Sequence, residues 1–201
     1  FASYKGRAAG SFGDVGCFST YAAHILVTGV GGLCTTNDPE LAISLRSIVN
    51  HGRDSIYLNI DADNNKSVDE LKMIIARRFR FVRMGYSFRP TEFEGALGLA
   101  EFERAEEIIK QRRENGRFFT KHLSGLKDHI QLPSIRKDAE HSFMMYPIIL
   151  KNETKEEFVN YLEQSGIETR DILPLTNQPY YRQIFNFDEN KYGHHYLVMP
   201  R

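Results

Sequence analysis

Gly10-Ser11-Phe12-Gly13-Asp14-Val15-Gly16-Cys17-Phe18-Ser19-Thr20-Tyr21-Ala22-Ala23-His24, followed after three apolar residues by Thr28-Gly29-Val30-Gly31-Gly32, is the stretch that decides how this chain is read. Glycines let a backbone approach a ligand closely and adopt positive φ, and a hydroxyl such as Ser19 can donate to a phosphate. Apolar clusters at 15–18 and 25–27, separated by turn formers, predict short strands joined by tight loops over residues 12–36. Composition alone leaves two readings open: an anion site, or a glycine-rich hairpin with no ligand.

Downstream, Asp38-Pro39-Glu40 predicts a helix start, with Asp capping the first amides, Pro at the first helical position and Glu at the positive end. Leu41, Leu45, Ile48 and Val49 give that helix an apolar face, and Gly52 stops it. Residues 54–72 read as a long polar surface loop, the kind of segment that often carries function. Its acidic tip, Asp61 to Lys66, lacks the central glycine and bidentate glutamate of an EF-hand loop. Arg77, Arg78, Arg80 and Arg83 alternate with Phe79, Phe81 and Val82, which predicts a strand with one charged face.

Thr91-x-x-Glu94 is a capping box, and Phe93, Ala96, Leu97 and Ala100 follow at helical spacing. The pattern predicts one helix of about 30 residues ending near His122, long enough to bridge two structural units. Residues 1–123 are thus expected to be one domain with a connecting helix, and 124–201 a smaller α/β domain. In the second, 143–150 reads as a strand, Thr154-x-x-Glu157 caps a helix that Gly166 ends, and 167–173 reads as another strand.

The chain has 201 residues, 41% hydrophobic and 26% charged, which is globular rather than disordered. Its 26 basic and 26 acidic residues cancel, so no bulk attraction to nucleic acid or to an anionic membrane is expected. No apolar run approaches the roughly 20 residues that span a bilayer. Cys17 and Cys34 have neither zinc nor cluster spacing and read as two ordinary thiols of a reducing cytoplasm. The sequence starts at Phe1 without the layout of a signal peptide and is expected to begin inside a longer protein.

Four ordered motifs make the reading specific. Gly10-Ser11-Phe12-Gly13-Asp14 leads to Cys17-Phe18-Ser19-x-Tyr21 and Gly29-x-Gly31-Gly32. Asn50-His51-Gly52-Arg53 comes next, and Gly85-Tyr86-x-x-Arg89-x-Thr91-Glu92 runs into Ala96-x-Gly98. This series resembles the DegT family of pyridoxal-phosphate (PLP) enzymes acting on nucleotide-linked sugars, and Ile167-Glu168-Thr169-Arg170 fits the family's smaller domain. The resemblance implies an α/β fold of the aspartate-aminotransferase type (fold type I), of which this chain would hold part of the large domain and most of the small one. It also implies a homodimer with shared active sites. The family's upstream pattern, with the cofactor's glycine-and-hydroxyl cradle, a stacking aromatic and an aspartate facing the pyridine nitrogen, is not in this sequence.

The family's aminotransferases place a lysine five residues after the serine, whereas His24 stands at that distance from Ser19. Imidazole cannot hold the cofactor covalently as lysine does, yet it is well suited to moving protons near neutral pH. Histidine at that position is similar to a branch of sugar 3-dehydratases of the GDP-4-keto-6-deoxymannose type, which use pyridoxamine phosphate (PMP). Gly52-Arg53-Asp54, the polar insertion and Arg78-Phe79-Arg80-Phe81 resemble the same branch. The chain departs from it at Ile25, where a second histidine is usual, and at Val30, where glutamate is usual. Ser87 replaces the asparagine that in many relatives reaches a neighbouring subunit's cofactor phosphate.

The resemblance implies Ser19 and Ser87 as cofactor-binding residues, His24 as the acid/base, and Tyr21, Arg53, Tyr86, Arg89 and Arg170 as contacts to a nucleotide-sugar substrate. A guanidinium such as that of Arg170 suits a diphosphate. His51 reads as structural. His194-His195 would point to opposite faces of a strand, so no metal site is expected. Three functions stay open: sugar 3-dehydration, sugar transamination, and a non-catalytic binding or assembly subunit.

Overall fold

The computed structural model describes residues 1–54, 64–170 and 178–185. They fall into two compact units, Phe1–Asn115 with Ile135–Met144, and Gly116–Ser134 with the described residues from Met145 onward. In chain order the elements are β1 (Ser3–Tyr4), β2 (Arg7–Ala8), β3 (Gly16–Ser19), β4 (Gly32–Thr35), α1 (Pro39–Val49), α2 (Val68–Arg77), α3 (Glu92–Glu103), α4 (Ala105–Leu123), β5 (Ile130–Gln131), β6 (Ala139–Glu140), β7 (Ile149–Leu150), α5 (Lys155–Gln164) and α6 (Pro179–Phe185).

The first unit holds two small antiparallel sheets. One has the order β2-β1-β6, and its β1–β2 turn passes through Lys5 and Gly6 at φ 49° and 73°, the two positive values of a tight hairpin turn. The other is the β3–β4 hairpin, registered as Gly16↔Thr35, Cys17↔Cys34, Phe18↔Leu33 and Ser19↔Gly32. It is the glycine-rich pair of strands expected from the sequence.

α1 starts as predicted: the Asp38 carboxylate accepts from the Glu40 and Leu41 amides at 2.8 and 3.2 Å. The polar stretch up to Lys72 is not all loop, because α2 begins at Val68. A second capping box drives it, with the Glu70 amide donating to the Ser67 hydroxyl at 3.3 Å and the Ser67 amide to the Glu70 carboxylate at 2.8 Å. The arginine-rich segment forms no continuous strand either. Arg77 ends α2, Arg78 keeps helical dihedrals, and the chain then pairs through one bridge, Arg53↔Phe81.

The Thr91–Glu94 capping box forms, but the helix behind it is broken. At Arg104 the backbone leaves helical geometry (φ −100°, ψ 0°) and its amide turns to the carbonyls of Glu101 and Phe102. α3 buries none of its residues, whereas Ala105 and Ile109 at the start of α4 are 3% and 6% exposed. The break therefore separates a helix that buries none of its residues from one with a buried stripe at its start, a change that apolar spacing alone does not reveal.

In the second unit β5 pairs antiparallel with β7, and Ile130 is buried. The strand expected over 143–150 is confined to Ile149–Leu150. Phe143 has φ 48° and its amide donates to His141 Nδ1 at 2.9 Å, a tight turn that no strand accommodates. α5 begins after Thr154, whose side chain makes no capping bond. It ends as expected at Gly166, φ 78°, with the Ile167 amide donating back to the Leu162 carbonyl at 2.9 Å. Residues 167–170 join no strand. The remainder of that expected strand, 171–173, and His194-His195 lie outside the described residues. No helix among the described residues is long and apolar enough to cross a membrane.

Two predictions follow from this framework. Gly52 has φ 76°, and a Cβ there would overlap the Arg83 carbonyl oxygen. Gly52→Ala is expected to lower unfolding free energy by at least about 2 kcal/mol in urea titration, while Gly13→Ala, which meets nothing, stays within about 0.5 kcal/mol. The Thr91 hydroxyl first, then the Thr91 and Glu94 amides, hold the Glu94 carboxyl below its ordinary range. A lowered carboxylate keeps the α3 cap as pH falls through the ordinary glutamate range and releases it only below. Thr91→Ala is expected to raise the Glu94 midpoint in a carboxyl-carbon NMR titration.

Candidate functional site

Ser19 closes β3, and the chain then turns tightly. The Thr20 amide donates to the Gly31 carbonyl at 3.1 Å, the Thr28 amide to the Thr20 carbonyl at 2.8 Å, and the His24 amide to the Tyr21 carbonyl at 2.9 Å. Residues 20–28 thus form a small loop whose neck is tied by two hydroxyls, Thr20 Oγ1 and Thr28 Oγ1, 2.6 Å apart. Thr28 Oγ1 also lies 2.7 Å from the Val30 carbonyl. Gly31, at φ 133°, makes room for both threonines, and Gly98 in α3 lies where a side chain would press on the Thr28 methyl group. This lock was not read from the sequence, although two threonines flanking the loop at its glycine-rich neck are its signal.

Three expected site residues sit on this loop and its stem. Ser19 is exposed, and its Oγ accepts from the Tyr21 amide at 3.3 Å, which leaves its own hydroxyl hydrogen free to donate outward. Tyr21 bridges to Gly29 and is 55% exposed. The His24 ring is half-buried.

A second group is assembled where the end of α1 crosses residues 80–88. The Tyr86 amide donates to the Ile48 carbonyl, the His51 amide to Tyr86, the Phe88 amide to Val49, the Val82 amide to Gly52 and the Asp54 amide to Arg80, at 2.7–3.1 Å. Asn50 bridges Ser87. This ladder brings Arg53, Tyr86, Ser87 and Arg89 into one neighbourhood although more than thirty positions separate them in sequence. The Tyr86 ring stacks on Phe88 with centroids 4.8 Å apart, and the Arg53 guanidinium lies 5.2 Å over the Phe79 ring.

His51, read as structural, takes a more specific position. Arg89 Nη2 is 3.2 Å from His51 Nε2. Guanidinium only donates, so in this contact Nε2 is the accepting nitrogen. His51 thereby sets where the exposed Arg89 fork points. Its own φ of 61° is the second left-handed conformation of the His51-Gly52 pair.

Asp54 is the buried charge of this region, 4% exposed. Arg77 grips it with two nitrogens at 2.6–2.9 Å, and Arg80 approaches at 3.5 Å. Two of the four arginines that looked like a charged strand face are thus committed to a carboxylate, and the Ser47 hydroxyl donates to the Arg53 carbonyl at 2.6 Å beside them. Arg170 belongs to the second unit, where it is exposed and paired with Glu168 at 3.1 Å.

The model of the DegT/DnrJ/EryC1/StrS aminotransferase family matches residues 1–195. A GDP-perosamine synthase of Caulobacter vibrioides is 29% identical over 93% of this chain and 46% of its own length. A GDP-4-keto-6-deoxy-D-mannose 3-dehydratase of Escherichia coli O55:H7 is 31% identical over 86% of this chain and 44% of its own. The solved structure of an E. coli GDP-4-keto-6-deoxy-D-mannose-3-dehydratase with bound hydrated PLP superposes with TM-score 0.70 at 25% identity, covering 92% of this chain and 46% of that one. The chain therefore spans about half the length of the curated relatives it matches, and over that span it has the α/β fold of the aspartate-aminotransferase type expected from its motifs.

Removing the buried Asp54 carboxylate takes away the anchor and counter-charge of the half-buried Arg77 fork. Asp54→Ala is expected to cost about 2–3 kcal/mol in urea unfolding, and Arg77→Lys, which keeps charge but loses the fork, an intermediate amount.

Proposed function

Because the chain belongs to the DegT/DnrJ/EryC1/StrS aminotransferase family, we propose that the protein containing it is a PLP/PMP-dependent enzyme that modifies a nucleotide-linked keto sugar, by dehydration at sugar carbon 3. The observation that carries this reading is His24, a half-buried imidazole fixed by its turn five residues beyond Ser19, where the motif resemblance puts a lysine in aminotransferases.

The residues present fit the cofactor at two points. Ser19 has a hydroxyl hydrogen free for a phosphate oxygen beside the side-chain-free Gly31-Gly32 strand. Asn50 Oδ1 is a buried amide atom with no hydrogen-bond partner among the described residues, next to Ser87. With its amide turned either way, Asn50 can bond to a group placed there. PMP, when bound, would supply an amine for the sugar's keto carbon and a ring that makes its own aminomethyl C–H acidic by accepting the electrons left behind.

This chain's residues supply the rest. Ser19 and Ser87 hold phosphate oxygens. The His24 ring, without a fixed hydrogen-bond partner among the described residues, takes a proton from one position and returns it to the departing hydroxyl. Tyr21 and Tyr86 present exposed rings to the sugar nucleotide. Arg53 and Arg89, the latter aimed by His51, carry charge that its diphosphate needs, and the exposed Arg170 of the second unit is a separate nucleotide contact proposed from the family motif. The GDP-perosamine synthase relative supports the alternative of amino transfer on a similar substrate. Residues 1–123 then serve as part of the large domain and 124–201 as the smaller one, in a homodimer.

The test uses the full-length protein with PLP, nitrogen-labelled glutamate and a GDP-linked 4-keto-6-deoxy sugar. Dehydration predicts a product lacking the carbon-3 hydroxyl and carrying no label. His24→Asn should then lower kcat by about 10²–10⁴-fold. Borohydride should leave the cofactor removable from the wild type but fix it to His24→Lys. Label in the sugar supports the transaminase instead, and absence of either product with PLP or PMP supplied supports a binding subunit.

A further inference from the structure

Cys17 and Cys34 stand opposite one another on neighbouring strands, and the hydrogen bonding of the hairpin decides what that means. The Thr20 amide donates to the Gly31 carbonyl, so 20↔31 is a hydrogen-bonded pair. Pairs in an antiparallel ladder alternate, which makes 18↔33 hydrogen-bonded and 17↔34 non-hydrogen-bonded. That second kind of pair brings Cα atoms to about 4.5 Å, inside the range a disulfide requires. The sulfurs are already 4.0 Å apart, in hydrogen-bond contact, and both thiols are exposed among the described residues.

We propose that Cys17 and Cys34 are a two-thiol modification site that a low-molecular-weight disulfide oxidises to a cross-strand disulfide. One cysteine thiolate attacks a sulfur of the small disulfide and expels one small thiolate, leaving a mixed disulfide. The facing cysteine then attacks the protein sulfur of that bond and expels the second small thiolate. One S–S bond is broken and one formed. The pair of cysteines loses two electrons, the small disulfide gains them, and the two cysteine protons end on the two released thiols.

Closure demands no movement of the strands, because the register already sets the thiols face to face. Desolvation first, then the hydrogen bond with Cys17 and its charge, push the Cys34 thiol above its ordinary range, so the exchange quickens as pH rises through the thiol range. Cys17 and Ser19 point to the same face of β3, since they are two residues apart on a strand. The switch therefore sits beside the hydroxyl read above as a phosphate ligand. The exchange itself does not depend on that reading.

The experiment treats the full-length protein with oxidised glutathione and reads intact mass, free thiols and peptides mapped without reduction. It needs no cofactor, so it stands or falls separately from the role of His24. Three results are expected: loss of both thiols with no retained glutathione, a cross-linked peptide pair containing Cys17 and Cys34, and reversal by dithiothreitol. Cys34→Ser should instead keep glutathione on Cys17. A wild type that retains glutathione on Cys17, cross-links between chains, or keeps both thiols under conditions that modify Cys34→Ser overturns the proposal.

Discussion

The missing side chain at residue 52 is the constraint on which the first unit depends. Gly52 lies so close to the carbonyl of Arg83 and the amide of Gly85 that no Cβ fits, and Gly85 is equally barred by the backbone of residues 51 and 52. Two backbones that touch can exchange hydrogen bonds on both sides of the contact. Here they do so from Ile48 to Asp54 on one side and from Arg80 to Phe88 on the other. Every expected substrate contact in that region stands on this crossing. Arg53 flanks the glycine, Tyr86 and Ser87 lie on the opposing segment, and Arg89 is held by His51.

Electrostatics then fixes what sterics brings together. Asp54 is 4% exposed, and an unpaired carboxylate at such a site would be expensive. The Arg77 fork satisfies it bidentately, so the end of α2 is tied to the residue just after the crossing. The Ser47 hydroxyl closes the same corner from α1. The pairing is thus a positional device: its Coulombic gain is offset by desolvation, but breaking it leaves a buried charge alone. It also explains why α2 has to exist. A polar loop up to Lys72 would leave Arg77 without a fixed direction.

What was legible in the sequence was mostly local. The Asp38 and Thr91 caps, the stop at Gly166 and the glycine-rich hairpin depend on residues within a few positions of each other, and all of them form. Ser67-x-x-Glu70 is just as local and was overlooked because the residues around it are polar, so no apolar stripe drew attention to it. The alternating arginines and phenylalanines misled for a different reason. Alternation reports two environments, and here one of them is a single buried carboxylate, not a charged face in water. The family motifs supplied the expected site residues, but neither the His51–Arg89 bond nor the Asp54 lock is a spacing pattern. Both join residues more than twenty positions apart and follow from the fold.

The break at Arg104 shows where local reading reaches its physical limit. Apolar residues repeat through α3 and into α4, and a single amphipathic helix satisfies that spacing. In the structure Phe93, Leu99 and Phe102 are 67–82% exposed while Ala105 and Ile109 are buried. Exposed apolar side chains on this scale mark a surface that other chain can cover, and the curated relatives are about twice as long as this chain. Gly98 of the same helix abuts Thr28, whose hydroxyl ties the neck of the loop that carries His24. The neck of that loop thus packs directly on α3. The position of the His24 loop therefore depends on the hairpin and α3 together, through the contact of Gly98 with Thr28 and the hydroxyl pair at the loop's neck.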